Sequence, residues 1–142
     1  MAFAKQKNRE VIFQTLYALD YSVSDKTDLI KLLMELIKTT KKNIKSLFEL
    51  VEDIRSKQDE IDEIIKNISK SYNFNRISKV ELNIIRQCIY EIKYIKDLPA
   101  KVSIAEAIRL CKKFSTKEGA NFVNAIVDGF YQSYEHTKQH IS

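Results

Sequence analysis

The chain has 142 residues, 44% of them apolar and 30% charged, with only two Gly and one Pro. That length bounds it to one domain, or two small halves sharing a core, and so few Gly and Pro leave too few turn positions for a β-sandwich or barrel. Lys plus Arg exceed Asp plus Glu by 24 to 19, a net charge of +5, which admits an anionic partner without identifying one. No stretch approaches the roughly 18 apolar residues of a membrane span, and Met1 to Phe13 lacks a long apolar segment, so a soluble, cytoplasmic protein with no membrane partner is expected.

Apolar spacing reads as helix almost throughout. A first helix is predicted from about Gln6 to Tyr21, with Ile12, Leu16 and Leu19 on one stripe and Phe13 and Tyr17 beside it. Asp25 caps a second, whose apolar set is Leu29, Leu33 and Leu36 flanked by Ile30 and Ile37. A third presents Ile44, Leu47, Phe48, Val51 and Ile54 on one face. Ser56-x-x-Asp59 reads as an N-cap signal before a fourth stripe of Ile61, Ile64, Ile65 and Ile68. The rhythm breaks from Tyr72 to Ile77, where Asn73 and Asn75 are turn-prone; a boundary between two half-bundles, or a sharp corner, falls between Ser56 and this point.

Ser78-x-x-Glu81 is a capping box opening a fifth helix. Its Ile84, Ile85, Cys88, Ile89, Ile92 and Ile95 cover an arc wide enough for a central position, and it stops before Pro99. Ser103-x-x-Glu106 and Ser115-x-x-Glu118 read as two further boxes. The first precedes Ile104, Ile108 and Cys111; the second precedes Phe122, Val123, Ile126, Val127, Phe130 and Tyr134. From His136 the pattern fades into a polar tail, 136–142. The expectation is an all-α protein of about seven helices in two packed half-bundles, about 1–56 and about 57–135.

Catalytic chemistry finds poor candidates. Gly119 and Gly129 lie inside helical patterns, so no Gly-rich phosphate loop exists. His136 and His140 have i, i+4 spacing but lie in the tail with only Glu135 as an acidic neighbour, so neither a metal nor a cofactor is expected. Asp59/Glu60 and Asp62/Glu63 alternate with isoleucines and read as a solvated helix face rather than an acid/base pair. Cys88 and Cys111 lack CxxC spacing and read as buried reduced thiols. The sequence does not read as an enzyme.

Two surfaces remain. Lys5, Lys7 and Arg9 form an electrostatic footprint for phosphates on an arm or on a helix, or else a solubilising N-terminus. Tyr17 lies about 12 Å farther along a helix, where it either stacks on a splayed base or sits half in the core. At the start of the last helix, Ser115, Thr116 and the following amides, with Lys112, Lys113 and Lys117 around them, suit a phosphate oxygen. Phe122 stands at the rim of the adjoining apolar stripe or within it.

The run Ile85-Arg86-Gln87-Cys88-Ile89-Tyr90-Glu91-Ile92, then Leu98-Pro99-x-Lys101-Val102-x-Ile104-x-Glu106-Ala107, then Lys113-Phe114 and Phe122-Val123-Asn124 resembles the bacterial transcription antitermination factors of the NusB family. Arg9-Glu10 and Gln14-x-Leu16-Tyr17 match the family's opening helix. The resemblance implies two packed helical halves, no enzymatic activity and no cofactor. It implies as partners the ribosomal protein NusE, the boxA element of nascent ribosomal RNA and the RNA polymerase antitermination complex. It places RNA contacts on Lys5, Lys7, Arg9, Tyr17, Glu118 and Phe122, with Lys117 beside them and Asn121 where the family often has Lys. Glu81 matches an acidic position near the RNA and NusE surfaces, and Arg86 a position with either a NusE-binding or a structural role. The dispersed arm charges, Asn121, and Ala125 where Gly often follows Val-Asn predict weaker RNA affinity for the chain alone and greater reliance on NusE. The alternatives are a purely protein-binding helical scaffold and the NusB-like domain of a ribosomal RNA cytosine methyltransferase; a homodimer is compatible with any of them.

Overall fold

The computed structural model describes residues 6–21, 41–70 and 72–141. The predicted second helix and Lys5 lie outside the described residues, as does the side chain of His140. Among the described residues there are six α-helices and no strand: α1 (Gln6–Tyr21), α2 (Lys41–Ser56), α3 (Gln58–Ile68), α4 (Lys79–Tyr94), α5 (Ala100–Phe114) and α6 (Lys117–Ile141). A 3-10 turn, Phe74–Arg76, precedes α4. The chain divides into two compact units, Met1–Lys57 and Gln58–Ser142.

In the first unit α1 packs against α2. On α2 the predicted Ile44, Leu47, Phe48, Val51 and Ile54 are all buried; on α1 Ile12, Phe13 and Leu16 are buried as expected, Val11 is buried as well, and Leu19 and Tyr17 are only half-buried. Thr15 is buried too, its hydroxyl donating to the Val11 carbonyl at 2.7 Å. Ser56, expected to cap α3, instead donates its hydroxyl to the Asp53 carbonyl at 2.6 Å and closes α2. Only Lys57 separates the two helices, so no residue is left over for a separate turn and cap.

In the second unit α4 is the hub, packed by α3, α5 and α6. Every residue from Leu82 to Ile92 is buried, polar ones included. Burying polar groups costs stability unless they are hydrogen-bonded, and Arg86 and Glu91 of α4 find partners on neighbouring helices. Arg86 donates from Nε and Nη2 to the two Asp62 carboxylate oxygens on α3, at 2.8 and 2.9 Å, and from Nη1 to Asn83 Oδ1 at 3.3 Å. Glu91 accepts from the Ser103 hydroxyl on α5 at 2.9 Å.

These bonds revise two sequence expectations. Ser103 does not cap a helix: α5 already starts at Ala100 behind Pro99, whose ring fixes φ at −63°, and Ser103 is an interior residue turned toward Glu91. The carboxylates of α3 are not simply a solvated face, because Asp62 holds Arg86 while Glu60 accepts from Lys93 and, at 2.7 Å, from Tyr94. Ser78 caps α4 as predicted, its Oγ accepting from the Glu81 amide at 3.2 Å. Cys88 and Cys111 are buried free thiols. The expected polar tail is helical through Ile141, its polar side chains finding partners along the helix: Thr137 donates to the Ser133 carbonyl at 3.0 Å, and Lys138 lies over the Tyr134 ring at 5.5 Å.

Candidate nucleic-acid interface

Two residues join α5 to α6, and each completes one helix. The Ser115 amide donates to the Cys111 carbonyl at 2.7 Å and ends α5; Thr116 Oγ1 accepts from the Gly119 amide at 2.9 Å and begins α6. The cap is therefore Thr116, one residue beyond the predicted Ser115, and Glu118 is left projecting from the first turn, exposed beside Lys117. The freed Ser115 hydroxyl donates to Glu81 Oε2 at 2.9 Å, an oxygen that also accepts from Ser78 Oγ at 2.8 Å. Glu81 thus ties the start of α4 to the α5–α6 junction.

Gly119 makes that approach possible. A Cβ there would stand 2.5 Å from Ser115 Oγ and 2.9 Å from Glu81 Oε2, too close for any side chain without displacing both. Beneath this cluster, burial and then the negative charge of Glu81 push the Cys111 thiol up to about 12.

The outer side of the junction is open. A groove of about 430 Å³ is lined by Ile108, Lys112, Ser115, Thr116, Lys117, Ala120, Asn121 and Asn124. Lys112, Lys117, Asn121 and Asn124 are exposed, so two ammonium groups and two amides edge a partly apolar floor at a helix N-terminus. Such an edge offers charge to phosphates, and amide donors and acceptors to base edges. Phe122 is half-buried, its ring 5.2 Å from that of Tyr72 and tilted by 44°. Sequence reading passed over Tyr72; the break in helical rhythm around it was the available signal.

On α1 the expected basic cluster separates. Because Gln6 already opens the helix, Lys7 and Arg9 lie about 200° apart around it: Lys7 is exposed, whereas Arg9 is 1% exposed, buried with its neighbours Asn8 and Glu10. Tyr17 is half-buried, stacked on Phe13 with ring centroids 6.1 Å apart. Arg86, a candidate partner contact, is equally internal, committed to Asp62 and Asn83. The structure therefore gathers Lys117, Glu118, Asn121 and Phe122 on one helix end with Glu81 behind them, and puts Lys7 and Tyr17 on a helix of the other unit.

The described residues define an all-helical protein whose open, chemically mixed surface is a helix end with basic, amide and aromatic side chains; no group of three or more His, Cys, Asp or Glu among them is placed to hold a metal. No helix among them is long and apolar enough to cross a membrane. The profile of the NusB family matches residues 6–132, and the chain belongs to that family. It is 37% identical to the transcription antitermination protein NusB of Chlamydia pneumoniae, over 91% of this chain and 81% of the relative. With the protein of that name from Myxococcus xanthus it shares 34% identity over 88% of this chain and 92% of the relative. Among solved structures it resembles T. maritima NusB with a TM-score of 0.74 at 28% identity, covering 87% of each chain. It has the same fold as a chain in the structure of antitermination factors NusB and NusE in complex with dsRNA, with a TM-score of 0.79 at 24% identity, over 94% of this chain and 100% of that one.

Proposed function

We propose that this protein is a non-catalytic, cytoplasmic RNA-binding factor of transcription antitermination, which with NusE binds boxA in nascent ribosomal RNA and promotes readthrough by RNA polymerase. The family and the names of its relatives support the class. The observation that carries the RNA reading is the α6 end, which bears a groove edged by Lys112, Lys117, Asn121 and Asn124 and, on another side of the same helix, the ring of Phe122 paired with Tyr72. Single-stranded RNA is bound sequence-specifically by this combination: cations on phosphates, amides on base edges and flat rings under splayed bases. In this assignment Lys117 meets a phosphate, Asn121 and Glu118 read base edges, and Phe122 stacks. Lys5, Lys7 and Tyr17, which belong to the first unit, are separate RNA contacts in this reading. Glu81 is a positioning residue that shapes the α6 start behind the surface, Arg86 braces α4 from inside the second unit, and Arg9 is an interior residue of the first unit.

A mobility-shift titration tests the proposal. Single-stranded boxA RNA is retarded most strongly when the protein and NusE are present together, less by either alone, and a scrambled RNA of equal length competes poorly. Equal binding of the scrambled RNA would overturn it.

A further inference from the structure

Between Glu63 and Glu81 the chain carries Lys66, Lys70, Arg76 and Lys79 and no acidic residue. All four cations are exposed, and Tyr72 and Phe74 are interleaved with them. This stretch links α3 to α4 and is held locally: the Tyr72 amide donates to the Ser69 carbonyl at 2.9 Å, and the Asn73 side chain accepts from the Asn75 amide at 2.9 Å. Tyr72 is 48% exposed, and one of its neighbours is Phe122 of the candidate RNA surface. The two rings are tilted rather than stacked on one another, with Tyr72 exposed and Phe122 half-buried.

We infer that the α3–α4 connector is part of the RNA path: Tyr72 stacks the base next to the one on Phe122, while Lys70, Arg76 and Lys79 neutralise flanking phosphates. The inference rests on the RNA reading of the α6 end and extends it to a segment which that reading does not use. Its occupant is single-stranded nucleic acid rather than an acidic peptide, because exposed rings set among cations match bases and phosphates on the same strand. Lys66, over the Phe74 ring at 5.0 Å, continues the alternation of charge and aromatic face toward α3.

The test is a fluorescence-anisotropy titration of labelled single-stranded boxA RNA with the full chain over a range of salt concentrations. Tyr72→Ala weakens binding about fivefold or more, the low end of one lost stacking contact, whereas Tyr72→Phe, which keeps the ring, stays within about twofold of the parent. Arg76→Gln lowers the slope of log affinity against log salt by about 0.7, the share of one phosphate on a single strand. Because Arg76 is exposed, this arm stays informative even if replacing Tyr72 perturbs the fold. Parent-like binding and slope in Tyr72→Ala and Arg76→Gln, with binding lost in Phe122→Ala, would overturn the connector's role and leave the α6 surface standing. Parent-like binding in Phe122→Ala as well would overturn both. If Tyr72→Ala instead weakens capture of NusE in the absence of RNA and leaves RNA affinity intact, the connector faces protein and the inference fails.

Discussion

Arg86 grips Asp62 with two hydrogen bonds, and the pair is nearly out of water, the two side chains being 4% and 14% exposed. Removing one member leaves the other's charge uncompensated, so Arg86→Ala is expected to lower stability by about 3–5 kcal/mol in urea unfolding. Lys93 provides the contrast, since it pairs with a half-exposed Glu60. Burial pulls the Lys93 ammonium down, but its hydrogen bond to Glu60 and the nearby charges outweigh that and leave it above the usual lysine value. For an exposed pair of this kind Lys93→Ala costs about 0–1 kcal/mol. Equal midpoint shifts for the two variants would remove Arg86 from the structural role. None of this was legible in the sequence, because the partner is 24 residues away and an Asp among other acids on an amphipathic helix looks solvated. Arg9 was misleading for a similar reason: a charged residue near a chain start suggests a free arm, but in a helix two positions suffice to move from the exposed side to the buried one.

At the scale of elements, apolar periodicity placed α1 over the span that it occupies and named most of the buried faces, because burial of a stripe is what stabilises these helices. Helix starts were less legible. Ser-x-x-Glu occurs three times between Ser78 and Glu118, and only at Ser78 does it begin a helix. At Ser103 the preceding Pro99 sets the start, and at Ser115 an adjacent threonine is equally able to cap, so the outcome depends on where the hydroxyls point in three dimensions. Thr116→Ala should therefore cost about 1 kcal/mol by removing the α6 cap. Gly119→Ala should cost about 1–3 kcal/mol despite the roughly 1 kcal/mol that alanine contributes to helix propensity, because the methyl displaces Ser115 and Glu81. Thermal unfolding checks both. A Gly119→Ala protein as stable as the parent would mean that the cluster yields freely.

For the molecule as a whole, Cys111 links the fold to alkaline pH. The folded thiol keeps its proton up to about 12, while its ordinary value is 9.0. Unfolding thus releases a proton in that window, so this contribution is complete below about 9 and is lost as pH rises toward about 12. The difference in urea stability between the parent and Cys111→Ala should shrink in that direction; a constant difference across the window would contradict the assignment. The thiol should also resist alkylation at neutral pH until the chain unfolds. The all-α class was legible from composition and period alone. The candidate surface was legible only in part: Lys117, Glu118, Asn121 and Phe122 are near neighbours on one helix, whereas Tyr72 reaches Phe122 from a segment with no regular period to place it.

The two-residue link between α5 and α6 has a bearing on how such a chain can diverge. One residue inserted as an extra helical step at the start of α6 would turn everything after it by about 100° and advance it by about 1.5 Å. Phe122 would swing away from Tyr72, and Gly119 would no longer lie against Glu81. Substitutions at the junction change single contacts, but a change in its length re-aims the whole last helix.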